Sequence, residues 1–82
     1  MKKDEFDFEI DVCGFLCPLP IIKIQNFVGQ LKNKDVLKII ASDKGVLIDV
    51  PIWCKINNYK FLGHYTEKNK YYLMIQVNDN VK

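Results

Sequence analysis

The chain contains no arginine; all twelve of its basic residues are lysine. Lysine is a point charge without the planar fork that reads base edges or clamps phosphates bidentately, so direct nucleic-acid recognition is not expected. There is one histidine and there are three cysteines, an odd number. That argues against a disulfide scaffold and for separate thiols with separate roles. No apolar run is long enough to span a bilayer, so no membrane insertion is expected. The start, Met1-Lys2-Lys3-Asp4-Glu5, turns from basic to acidic without an apolar signal core, which makes the cytoplasm the default location.

What is present describes a small globular domain. The chain has 82 residues, 49% of them hydrophobic and 12% aromatic. That is enough to build one core of modest stability and too apolar for disorder. A single domain over 1–82 is expected, with its core at about 6–77 and a polar tail at 78–82. The net charge of +2 is unevenly spread. Residues 1–11 hold two lysines and five acids, and the remainder holds ten lysines and five acids. A lysine-rich composition accounts for this, and a mildly basic docking surface is the alternative. Nothing in the pattern signals oligomerisation, so a monomer is expected.

The chain is organised around Ile10–Pro20, I-D-V-C-G-F-L-C-P-L-P. A strand over Phe6–Val12 leads in, with Phe6, Phe8, Ile10 and Val12 on one side and Asp7, Glu9 and Asp11 on the other. Asp11 is placed to accept hydrogen bonds from loop N–H groups. Gly14 suits a tight strand-to-helix turn that requires positive φ. Pro18 and Pro20 fit the first turn of a helix, where a missing N–H costs nothing. Cys17 therefore falls between a strand end and a helix start. There the unpartnered N–H groups and the positive end of the helix dipole favour thiolate, the nucleophilic form. The bland reading of Cys17 is a buried free cysteine, although flanking prolines are odd surroundings for a core filler.

A helix is expected from Pro18 to Lys32, with Ile21, Ile24, Phe27, Val28 and Leu31 inward and Gly29 inside it at a cost of roughly 1 kcal/mol. Asn33-Lys34-Asp35 reads as a turn and Val36–Ala41 as a strand. Ser42 or Asp43 is expected to cap the next helical segment. Pro51 leaves two forms of that segment open. One is a loose turn over 43–48 with Asp49 as N-cap of a helix from Val50 to Asn57. The other is a single kinked helix. Asn57-Asn58 ends either form. Strands Tyr59–Tyr65 and Lys70–Val77 follow, joined by Thr66-Glu67-Lys68-Asn69 as an antiparallel hairpin, with Tyr71, Leu73, Ile75 and Val77 on one face.

The order is βαβαββ. Helical crossovers imply parallel neighbouring strands with both helices on one face. The expected fold is an α/β (α+β) two-layer sandwich with a four-stranded mixed sheet. Cys54 beside Trp53 reads as packing, and His64 as an exposed or half-buried strand residue. Cys13 and Cys17 show a C-x₃-C spacing, but no second paired motif accompanies it, so no metal site and no cofactor are expected.

Asp11, Gly14, Cys17, Pro18 and Pro20 resemble the D-x-x-G-x-x-C-P-x-P signature of the TusA/SirA-like sulfur-carrier family. Asp49-Val50-Pro51 with Cys54 resembles the same family's D-I-P-x-x-C segment, and the likeness extends roughly from Phe8 to Val77. It implies a fold similar to the C-terminal domain of translation initiation factor three. It also implies a sulfurtransferase-type carrier that relays persulfide sulfur on Cys17. Donors in the family include cysteine desulfurases, and acceptors are proteins such as those of tRNA thiolation or related sulfur metabolism. Gln25 and Asn26 stand where the family usually has basic docking residues, with Lys23 nearby. Leu19 and Leu16 stand where many relatives have Glu and some have Arg, which makes the loop more apolar.

Cys13 lies outside the signature. It reads either as a small buried residue at the strand end or as a resolving thiol that discharges a Cys17 persulfide. Two rival functions stay open. One is a noncatalytic adaptor module, in which Cys17 is dispensable. The other is a thiol redox protein, in which Cys13 and Cys17 are both required.

Overall fold

A computed structural model describes residues 6–14, 19–32 and 34–77. Six elements run in the order β1 (Phe8–Asp11), α1 (Leu19–Val28), β2 (Val36–Ala41), α2 (Val46–Ile56), β3 (Lys60–Glu67) and β4 (Lys70–Gln76). The strands form one sheet in the order β1-β2-β4-β3. β1 and β2 are parallel, and β4 is antiparallel to both β2 and β3. The four-stranded mixed sheet with two helices is the expected α+β sandwich. One expectation needs correction: the second crossover does not make neighbours. β3 runs parallel to β2, but β4 lies between them. The tight β3–β4 hairpin folds its second strand inward, where it pairs on both edges.

One core joins the two layers. Ile24 and Val28 of α1 and Val46, Val50, Trp53 and Cys54 of α2 pack with Val12, Leu37, Ile39, Ala41, Leu73, Ile75 and Val77. Ile21, Phe27 and Leu31 pack at its margin, as the helical spacing requires. α1 ends at Val28, earlier than expected, so Gly29 lies in the turn beyond the helix and carries no helix-interior penalty.

α2 is one continuous helix with Pro51 inside it, which settles the two alternatives. Asp49 sits in its first turn and is not its N-cap. Pro51 is tolerated because it removes one N–H in a helix whose inner face is otherwise wholly buried: Val46, Val50 and Cys54 are each no more than 1% exposed. Asn57 caps the end and Asn58 takes the left-handed conformation at φ 62°. Tyr59 N–H donates to Cys54 C=O at 2.8 Å and Asn58 N–H to Lys55 C=O at 3.4 Å. This is a Schellman arrangement, and the Trp53–Tyr59 ring contact at 5.2 Å supplies its usual apolar clasp.

Three smaller expectations are corrected. The hairpin turn is two residues, Lys68 and Asn69, both at positive φ (52° and 66°), so Thr66 and Glu67 belong to β3. Two positive φ values match the right-handed twist of the flanking strands. β1 begins only at Phe8, and Phe6 is not bound by strand alternation. Its ring lies 4.9 Å from the Lys38 ammonium, which bridges to Glu9 at 4.0 Å on the face away from the helices. In β3, a bulge between Phe61 and Gly63 inserts one residue. It brings Phe61 and the exposed His64 to one face, rings 6.3 Å apart, instead of leaving His64 in alternation with Leu62 and Lys60.

Candidate functional site

The site is built where β1 ends. The β1–β2 ladder continues one step past the strand, with Val12 N–H donating to Ile40 C=O at 2.7 Å. Val12 is wholly buried and anchors the strand end in the core. The chain then turns. The Asp11 carboxylate accepts the Cys13 N–H at 2.9 Å, an Asx turn two residues long. Gly14 follows at φ +87°, a conformation L side chains rarely adopt. Its N–H donates to the Ser42 hydroxyl at 2.8 Å. Five residues later in the chain, α1 opens at Leu19, with Pro20 as its second residue. Pro20 thus occupies the first turn, where proline costs no hydrogen bond.

Of the site residues expected from the sequence, Asp11, Cys13 and Gly14 come together at the end of β1, and Pro20 takes its place in α1. Cys17 and Pro18 lie outside the described residues, as does the tail at 78–82. Ser42 was expected only as a helix cap. Neither Ser42 nor Asp43 caps α2: its N-cap is Gly45, without a side-chain cap. Asp43 accepts the Gly45 N–H at 3.2 Å in the turn before the helix, and Ser42 reaches back to the turn at Gly14. No local pattern marks a contact 28 residues apart in sequence.

The electrostatics around Cys13 are definite. Its own backbone N–H, and then its thiol, hydrogen-bond the Asp11 carboxyl and hold it below the usual carboxylate range. Burial pushes the half-buried Cys13 thiol up, and the Asp11 hydrogen bond and charge add to the shift. At neutral pH Cys13 is therefore a thiol. Cys54 is 1% exposed and inert, its thiol pushed up to about 12 by burial.

The helices also carry an exposed apolar surface. Ile48, Ile52 and Ile56 recur every fourth residue along α2 and are 67%, 55% and 74% exposed. Gln25 reaches across from α1 to α2 through a long hydrogen bond, 3.4 Å from Trp53 Nε1. This places the Gln25 edge of α1, which also bears the exposed Ile22, beside α2. Gln25 thus links the two helices. A shallow groove of about 220 Å³ lies elsewhere, lined by Ile10, Lys23, Asn26, Phe27 and Gln30.

The model of the family described as sulfurtransferase TusA matches residues 8–77. The chain is similar to the sulfur carrier protein TusA of Allochromatium vinosum, 29% identical over 72 residues, covering 88% of this chain and 95% of that protein. It is 31% identical over 70 residues to the sulfur carrier protein TusA of Pseudomonas entomophila, covering 85% of this chain and 88% of that protein. To YrkF of Bacillus subtilis it is 38% identical over 58 residues, 71% of this chain but only 31% of YrkF. In fold it resembles the crystal structure of a SirA-like protein from Desulfitobacterium hafniense, with a TM-score of 0.76 at 15% identity, covering 89% of this chain and all of that one. With the family match spanning nearly the whole chain, this protein belongs to the TusA sulfurtransferase family.

Proposed function

We propose that the chain is a sulfur carrier and that Cys17 is the residue that carries. The Cys17 thiolate attacks the outer sulfur of a donor persulfide, R–S–SH. A new S–S bond forms to Cys17, the donor S–S bond breaks, and the donor leaves as R–S⁻. An acceptor thiolate then attacks the terminal sulfur of Cys17–S–SH and Cys17 leaves as thiolate. The exchange is favoured by an attacking thiol poised near ambient pH. It calls for no metal or organic cofactor. The observation that supports this reading is the turn before Cys17, held by Asp11 and by Gly14 at φ +87°, with α1 beginning two residues after it.

The donor is a cysteine desulfurase-like protein, and the acceptor is a second protein, in tRNA thiolation or related sulfur metabolism. The chain works in the cytoplasm as a monomer; among the described residues no helix is long and apolar enough to cross a membrane. The donor docks on the isoleucine face of α2. Lys44 and Lys55 are exposed beside that face, so it suits a partner whose apolar strip is bordered by carboxylates. Cys13 serves as a slow resolving thiol. Its thiolate would attack the inner sulfur of Cys17–S–SH, releasing sulfide and leaving a Cys13–Cys17 disulfide.

Intact mass tests the central claim. After incubation with a cysteine desulfurase and cysteine, the chain should gain sulfur that a reductant removes. Cys17→Ser should gain none. Sulfur gained equally by Cys17→Ser would overturn the assignment to Cys17 and move it to another cysteine. A wild type that takes no sulfur from this donor, thiosulfate or polysulfide would leave the adaptor reading in its place.

A further inference from the structure

In a parallel ladder the donors on one strand advance by two residues and their acceptors on the next strand advance by two. Val12 N–H donates to Ile40 C=O, so the next pair in register is Gly14 N–H with residue 42. At Gly14 the chain has already left the strand, at φ +87°. The bond is nevertheless made, at 2.8 Å, by the Ser42 hydroxyl in place of the Ser42 carbonyl. Ser42 thus extends the β1–β2 ladder by one rung after the backbones have diverged.

The consequence is positional. Gly14 is the last described residue before Cys17, and Leu19 begins α1. Four residues of chain span those two points, and Cys17 is the third of them. Leu19 is held by its helix. Gly14, with no side chain of its own, is held by its backbone conformation and by Ser42. Ser42 follows Ala41, which is 0% exposed, so the hydroxyl projects from a rigid strand end.

We propose that Ser42 is a positioning residue for the carrier cysteine: its hydroxyl fixes the backbone of Gly14, three residues before Cys17 in the chain, and through it the reactivity of Cys17. This rests on the reading of Cys17 as carrier. It assigns Ser42 no contact with sulfur. The β2–α2 junction, which opens the helix bearing the isoleucine face, is thereby tied to the reactive turn.

The test compares Ser42→Val with Ser42→Thr in the full-length chain. The two are near-isosteric, both suit a strand end, and only threonine keeps the oxygen. The readouts are the rate of sulfur uptake on Cys17 from glutathione persulfide and the pH profile of Cys17 alkylation, each resolved by peptide mass. A small-molecule donor removes docking from the comparison. Ser42→Val should take up sulfur about three- to tenfold more slowly, in line with the loss of one hydrogen bond. Its alkylation profile should move to higher pH, and Ser42→Thr should stay within about twofold of wild type on the same scale. A purely structural role would lower the melting temperature of Ser42→Val without moving the alkylation profile, and that result overturns the inference. A wild type that loads Cys17 no faster than Ser42→Val overturns it too. A wild type that takes no sulfur on Cys17 removes the carrier reading itself, and the inference falls with it. Should Ser42→Val not fold, Ser42→Ala carries the same comparison.

Discussion

The Asp11 carboxylate accepts the backbone N–H of Cys13 at 2.9 Å, and its hydrogen bond to the thiol and its charge add to the burial that pushes the Cys13 thiol up. One acid therefore shapes the turn and quiets the cysteine nearest in sequence to the proposed carrier. Asp11→Asn keeps an oxygen for the N–H and removes the charge. Cys13 alkylation in this variant should move to lower pH than in wild type. Loss of sulfur from a loaded chain should then be faster at pH 7, and Cys13→Ser should abolish that gain. In wild type, discharge should speed up as pH rises above the ordinary thiol range, because only then does Cys13 ionise. An alkylation profile unchanged in Asp11→Asn would show that burial alone sets the Cys13 thiol.

Gly14→Ala isolates backbone strain. A Cβ at Gly14 meets nothing within 4 Å, so no clash contributes. The cost is that of holding an L residue at φ +87°, about 1–2 kcal/mol. Urea unfolding should show that loss with an unchanged slope. A neutral result would mean that the turn relaxes to negative φ without penalty.

Met74 measures the second face of the sheet. It alternates with the core residues Leu73 and Ile75, yet it is itself 0% exposed, between Lys38 of β2 and Gly63 of β3. Tyr65 and Tyr72 stack at 4.7 Å on that side, and the Lys38 ammonium lies 5.2 Å from the Tyr72 ring. Met74→Ala should cost about 2–4 kcal/mol, as for a core methionine. A cost below about 0.5 kcal/mol is the surface value and would show that the packing there carries no stability.

Cys54 ties stability to alkaline pH. Its folded thiol is pushed up to about 12, whereas an unfolded cysteine ionises near 8.5–9. Above the unfolded value the unfolded chain has released a proton that the folded chain keeps, so stability falls as pH rises. The slope has an upper bound of about 1.4 kcal/mol per pH unit. Cys54→Ala should start less stable at pH 7 because it leaves a void, and should lose less stability between pH 9 and 10.5. Parallel pH curves for the two proteins would contradict this assignment.

Ile52→Glu separates docking from folding. Ile52 is 55% exposed, so its replacement should change stability by no more than about 0.5 kcal/mol. Loading from a cysteine desulfurase should fall at least tenfold while loading from glutathione persulfide stays at the wild-type rate. Equal losses with both donors would place the effect in the chemistry and not on the docking surface.

Much of this molecule was readable from local pattern. Helical spacing identified the inward residues of α1, and Asn57-Asn58 marked the end of α2, because a helix face and a C-cap depend on neighbours within one or two turns. Asp11 and Gly14 were readable for the same reason: an Asx turn and a positive φ are set by residues two positions apart. The signature around Cys17 named the family in the same way.

Other features depended on partners far along the chain, and only the tertiary structure decided them. Pro51 stays inside α2 because the core buries that helix on both sides of it, which no local propensity encodes. β4 lies between β2 and β3 because the hairpin folds inward to satisfy both of its edges. Met74 is buried because residues of neighbouring strands close over the face of the sheet opposite Leu73 and Ile75. Ser42 turned from a helix cap into the acceptor of Gly14, 28 residues away, because the parallel pairing of β1 and β2 brings those positions into register. The sequence by itself determined which residues can turn, cap and react. Long-range pairing and burial decided which of them meet, because those energies are collected only when the sheet closes.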